Sequence, residues 1–219
     1  MKTEYFGNPQ SDTVLIQMVD ERDLSIMDRE IEIIRSLTAD AGFLFASVCI
    51  GDWNSDLSPW PAAPAFGTEG FGSGAGNTLN RLLDKVVRPL RQEGKRFYLG
   101  GYSLAGLFAL WAAYQTDAFR GIAAASPSVW FPSFLEYTQK NQLRTDAVYL
   151  SLGTKEEKTR NPIMARVGRN IRELHAYLER EGTFCTMEWN EGNHFREPEL
   201  RMAKGFAWLV NRDREGERQ

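Results

Sequence analysis

Apolar and polar positions alternate along the chain in two rhythms. Short, nearly continuous apolar runs at residues 14–19, 43–50, 97–100, 121–125, 148–152 and 184–189 read as buried strands. Between them, apolar residues recur every three or four positions. Met27, Ile31, Ile34 and Leu37 share one helical face, and Leu79, Leu82, Leu83, Val86, Val87 and Leu90 form the clearest stripe. Met164, Val167, Ile171, Leu174 and Leu178 form another, and residues 104–114 and 199–211 read as two further helices. Pro89 lacks a backbone donor, so a kink or a fresh turn is expected near the end of the second stripe. Residues 53–76, rich in Gly, Pro and aromatic side chains, read as a long loop. Six strands alternating with helices predict an α/β fold, with a mostly parallel sheet of six or more strands covered by helices on both faces. No repeat or linker divides the chain, so 1–219 is expected to be a single domain.

Composition changes this picture little. With 42% hydrophobic and 25% charged residues the chain is ordinary for a globular protein. A net charge of -3, with acids and bases interleaved, offers no clustered basic face for nucleic acid or for an anionic membrane surface. No stretch approaches the roughly 18 apolar residues of a membrane span. Residues 1–10 hold no apolar core of signal-peptide length, and a cytoplasmic location is the expectation. Cys49 and Cys185 sit inside apolar runs and read as buried free thiols rather than a disulfide framework. No metal and no cofactor is expected.

Candidate chemistry gathers where the strands end, which is where open parallel sheets place their sites. Gly101-x-Ser103-x-Ala105 lies between a strand and a helix, the setting of a nucleophile elbow. Small residues on either side let the serine occupy a strained turn, and the helix N-terminus supplies backbone N–H groups for a developing oxyanion. The bland alternative is a serine that merely caps the helix. A serine nucleophile needs a base. Of the two histidines, His175 lies on a helical stripe and reads as a packed or surface residue, whereas His194 follows the last strand, the base position in the order Ser…acid…His. Between them, Gly153-Thr154-Lys155-Glu156-Glu157 puts a carboxylate after a strand, with Glu156 favoured over Glu157. The backbone of Leu104, and of Asp20 or Glu21 after the first strand, would supply the oxyanion donors. Trp53, Trp60 and Trp130 would line an aromatic substrate pocket, unless they simply anchor their loops.

These segments resemble a known family. Val14-Leu15-Ile16 with Asp20, Ser55-Asp56-Leu57-Ser58-Pro59, Gly100-Gly101-Tyr102-Ser103-Leu104-Ala105-Gly106 and Gly192-Asn193-His194-Phe195 resemble the α/β-hydrolase family that contains esterase D-like and siderophore esterases. The resemblance runs from about Val14 to Val210. It implies an α/β-hydrolase fold, Ser103 as nucleophile, His194 as base and a small-molecule ester substrate. An arginine often found near the family's Asp-Leu-Thr-Pro segment is absent from Trp53-Asn54-Ser55. The short N-terminal part also implies that the antiparallel strands that usually open the sheet are reduced or missing. The same machinery serves an acyltransferase or a peptidase, and a hydrolase-fold binding protein is the reading outside enzymes.

Overall fold

The computed structural model describes residues 1–216, so the last three residues of the expected 1–219 domain lie outside the described residues. Its centre is a seven-stranded sheet in the order β1-β3-β2-β4-β5-β6-β7. The strands are β1 (Lys2–Gly7), β2 (Thr13–Val19), β3 (Leu44–Cys49), β4 (Arg96–Tyr102), β5 (Gly121–Ala125), β6 (Ala147–Gly153) and β7 (Phe184–Asn190). All pairings are parallel except β1 on β3. The apolar runs before residue 153 became central strands because helices cover both their faces: β2, β5 and β6 are buried at every position.

Strand β1 has no counterpart in the apolar pattern. Lys2-Thr3-Glu4-Tyr5-Phe6-Gly7 lies at the sheet edge with only Phe6 packed towards a core ring, Phe45. An edge strand needs little apolar character to pair through its backbone, so no run marks it. The antiparallel opening of the sheet is thus reduced to one strand.

Helices α1 (Met27–Leu37) and α8 (Pro198–Gly216) cover one face. The other is covered by α3 (Ala75–Leu82), α5 (Leu104–Gln115), α6 (Phe134–Lys140) and α7 (Val167–Arg180). Helix α5 is buried over nearly its whole length, so it carries apolar residues all round rather than on one stripe. Helix α8 approaches the sheet closely because Gly100 and Gly205 carry no side chain. A Cβ on Gly100 would meet the ring of Phe206 at 2.5 Å, and one on Gly205 would meet Tyr149 at 2.9 Å.

The Pro89 stripe resolves without a sharp break. A π-helical turn, Leu83–Val87, joins α3 to the short α4 (Arg88–Leu90), and Pro89 sits in the first turn of α4, where a missing N–H does least harm. The stretch expected as loop, residues 53–76, contains the short α2 (Trp53–Asp56) and a bridge between Ala62 and Phe71. The expectation of two buried cysteines is corrected: both are free and only partly buried. Cys49 is the last residue of β3, and Cys185 lies on the edge strand β7, which helices cover less completely than the centre. Among the described residues, no helix is long and apolar enough to cross a membrane.

Candidate active site

Parallel pairing brings the strand ends level, with Met18 beside Gly101, Tyr102 beside Ala125 and Ala125 beside Ser151. The segments that follow β2, β4, β5, β6 and β7 therefore share one edge of the sheet.

Ser103 stands between β4 and α5 with φ 59° and ψ -121°. A non-glycine residue in such a conformation stores about 1–3 kcal/mol, which the surroundings must sustain. They do so through the main chain. Ser103 N–H donates to Ala125 O (3.1 Å), and Ser103 O accepts from Leu107 N–H (3.1 Å) and Ser128 N–H (3.0 Å). Small neighbours are mandatory. A Cβ on Gly101 would collide with the backbone of Ala105, and one on Gly106 would lie 2.9 Å from Gly101 O. The Ser103 hydroxyl makes no capping bond to the helix; Ser128 Oγ lies 3.4 Å away. The helix-capping alternative thus has no bond behind it. Leu104, Ala105 and Gly106 open α5, so their N–H groups have no acceptor within the helix and lie at its positive end.

Glu156 opens a one-turn 3₁₀ helix, Glu156–Lys158, just past β6. Its Oε2 lies 2.7 Å from His194 Nδ1, in the loop between β7 and α8. Its Oε1 accepts from Gly153 N–H (2.7 Å), Ser126 Oγ (2.7 Å) and an Arg201 guanidinium nitrogen (2.8 Å). Burial raises the pKa of this carboxyl, but hydrogen bonding to His194 and its charge, with help from Ser126 and Gly153, outweigh that and hold it below the usual carboxylate value. Glu157 points elsewhere and pairs through both oxygens with Arg172, at 2.8 and 3.0 Å. Successive residues of a 3₁₀ turn project about 120° apart, which sends the two adjacent glutamates different ways. With His194 Nδ1–H donating to Glu156, the neutral ring carries its lone pair on Nε2.

The serine and histidine segments are tied through Tyr102, the residue before Ser103. Its hydroxyl donates to His194 O (2.7 Å), and its ring lies 5.1 Å from the imidazole, centroid to centroid. Burial pushes the Tyr102 hydroxyl up to about 12, so it stays a donor at neutral pH.

Arg201 is the residue the sequence reading passed over. It is 1% exposed. One terminal nitrogen donates to Glu156 Oε1, Ser126 Oγ (3.0 Å) and Tyr102 Oη (3.1 Å); the other donates to Asn193 O (2.8 Å) and Glu191 O (3.3 Å). A single side chain therefore joins the end of β4 to the loops after β5, β6 and β7. The available signal was positional: Arg201 lies on the inward face of α8, one turn before Gly205 and beside the core residue Met202.

The remaining expected site residues fare differently. Asp20 N–H donates to Asp23 Oδ2 (3.2 Å) in a capping box, so this expected oxyanion donor has a partner within its own turn. Glu21 opens the 3₁₀ turn that follows, Glu21–Ile26, so its N–H has no acceptor within that turn. Trp60 and Trp130 pack in an aromatic cluster. Trp60 donates to Pro132 O (3.0 Å) and packs on Phe131 and Tyr137, and Trp130 packs among Phe66, Phe71 and Phe131. Trp53 opens α2, half-buried against the same core. None of the three lines the cavity beside His194. His175 lies on α7, 3.5 Å from Glu179, away from these strand ends.

No family model matches the chain. Solved structures share its fold. The siderophore hydrolase EstA of Aspergillus nidulans superposes with a TM-score of 0.70 at 21% identity, covering 93% of this chain and 84% of that one. The Bacillus cereus carboxylesterase does so with a TM-score of 0.61 at 17% identity, over 96% and 94%. An uncharacterized protein of Bacillus subtilis (strain 168), YbbA, is 25% identical over 175 residues, 73% of this chain and 70% of its own length. The chain has the α/β-hydrolase fold.

Proposed function

We propose that the chain is a serine hydrolase that cleaves a carboxylic ester or thioester through an acyl-enzyme. One observation carries the reading: Ser103 is held at positive φ with its hydroxyl uncommitted to the helix it precedes. The His194–Glu156 pair on the same sheet edge supports it. So does the fold shared with a siderophore hydrolase and a carboxylesterase.

In this reading Ser103 Oγ attacks the ester carbonyl and His194 Nε2 takes its proton. The Leu104 N–H, with Glu21 N–H opposite, stabilises the oxyanion of the tetrahedral intermediate. Collapse breaks the bond to the leaving oxygen, which receives the proton from His194. Water, deprotonated by His194, then attacks the acyl-Ser103 ester; the acyl–Oγ bond breaks, His194 returns the proton to Ser103 Oγ, and the carboxylic acid leaves. Glu156 keeps the imidazole in the required tautomer and stabilises its cation.

Turnover of a p-nitrophenyl ester series from acetate to decanoate, with an aryl ester and a lactone added, tests the reading. Ester hydrolysis well above that of matched peptide amides is expected; folded protein inert towards every ester contradicts it.

Arg201 is in this reading a positioning residue, holding Glu156 and the His194 loop in register. Arg201→Met should lower kcat about 10- to 100-fold, the worth of hydrogen bonds to a charged group, and should move the acid limb of the kcat/KM profile to higher pH. Losing the buried cation makes protonation of Glu156 easier, which fixes the sign. Arg201→Lys should restore part of both effects. A change in unfolding midpoint with an unmoved pH profile would leave Arg201 a merely structural residue.

A further inference from the structure

Beside His194 lies a cavity of about 200 Å³, on the α1 and α8 side of the sheet. Three of its lining residues are buried polar side chains: Gln17 on β2 (4% exposed), Glu30 on α1 (1% exposed) and Glu199 on α8 (7% exposed). Gln17 Nε2 donates to Glu30 Oε2 at 3.2 Å, but Gln17 Oε1 and Glu30 Oε1 are buried with no hydrogen-bond partner. Leaving buried acceptors unmade costs about 1–3 kcal/mol each, and nothing in the proposed chemistry uses either of them.

The charges around the cavity are of one sign. Asp23, Glu30 and Glu199 all line it. Largely exposed cations face two of them: Arg29 lies 3.2 Å from Glu199, and Arg22 acts on Asp23. Ile26, Met27 and Met202 supply apolar walls, and His194, Phe195 and Tyr102, the residue before Ser103, complete the lining. Burial, reinforced by Asp23 and Glu199, pushes the Glu30 carboxyl well up from its usual value. A positive ligand would reverse that push and meet two acceptors already in place.

We propose that this cavity is a subsite for the leaving-group side of the substrate and receives a primary ammonium carried on a short alkyl chain. The ligand is therefore an ester of an amino alcohol. The inference rests on the esterase reading, in which His194 hands its proton to the departing oxygen; the alcohol portion must then lie on the His194 side. The ammonium has three donors, enough for Gln17 Oε1 and the Glu30 carboxylate together. The methionine and isoleucine walls take the methylenes.

The test compares ω-aminoalkyl butyrates, from aminopropyl to aminohexyl, with n-alkyl butyrates one carbon longer, so that a methyl replaces the ammonium. The wild type should favour the best amino ester by about tenfold or more in kcat/KM, the value of a charge-assisted hydrogen bond. Glu30→Gln and Gln17→Leu should each bring that ratio towards one. Because the ratio is taken within each variant, uniform losses cancel. Should both variants fail to fold, inhibition of wild-type p-nitrophenyl butyrate hydrolysis decides: n-butylammonium should compete where n-pentanol at equal concentration does not. A wild-type ratio near one, or equal inhibition by amine and alcohol, overturns the subsite and leaves the esterase standing, the cavity then holding only water. No hydrolysis of any butyrate, p-nitrophenyl butyrate included, overturns the esterase reading itself.

Discussion

Ser103→Ala should lower kcat for ester hydrolysis by about 10⁴-fold or more, since removing the nucleophile of a triad commonly abolishes all but binding and oxyanion stabilisation. KM should change far less, because the hydroxyl contributes little to ground-state binding. The variant should also fold at least as well as the wild type. The Ser103 side chain makes no cap and has only the 3.4 Å approach of Ser128, so its removal costs the fold little. Alanine keeps the strained φ, so any destabilisation seen in urea unfolding measures that hydroxyl contact alone. Steady-state assay of an ester the wild type hydrolyses, alongside the unfolding curve, separates loss of chemistry from loss of structure. Residual activity within tenfold of wild type would rule out Ser103 as nucleophile.

The second large effect distinguishes two neighbours. Glu156→Gln should cost about 10³- to 10⁴-fold in kcat, because the amide leaves the imidazole free to adopt the wrong tautomer. Glu157→Gln should change kcat by no more than about twofold, since that carboxylate lies on Arg172, at the surface, where ion pairs are worth little. Glu156→Gln also leaves the buried Arg201 without its anion, a loss that can reach 3–5 kcal/mol in buried pairs. Far-ultraviolet circular dichroism and urea midpoints therefore accompany the kinetics. Glu156→Asp, which keeps the charge, should recover more stability than activity. Equal kinetic effects at the two positions would contradict the assignment of roles.

The layout of the sheet was legible because its central strands are buried on both faces and so announce themselves as unbroken apolar runs. The edge strand β1 was not, because it pairs through its backbone with one side chain packed, whereas β7 at the other edge was read from the run 184–189. The candidate site divides in the same way. Ser103 could be read because a strained turn imposes small residues at Gly101, Ala105 and Gly106, and a steric demand leaves a trace in sequence. His194 could be read because it follows the last strand. The choice between Glu156 and Glu157 turned on the rotation of one helical turn, which spacing alone does not encode. Arg201 lies 45 residues beyond Glu156 in the chain and reaches it on α8, which packs tightly over Gly100. The pairing of Gln17 with Glu30 depends on the same packed face and on the register of α1 against β2.

The covalent step can be observed directly. Folded wild-type protein incubated with a fluorophosphonate should gain one phosphonyl adduct by intact mass, and peptide mapping should place it on Ser103. Ser103→Ala should gain none, and His194→Ala should react far more slowly because the hydroxyl has lost its base. Ester hydrolysis by a wild type that takes no adduct, or an adduct on any residue other than Ser103, would contradict the nucleophile elbow as the seat of the chemistry.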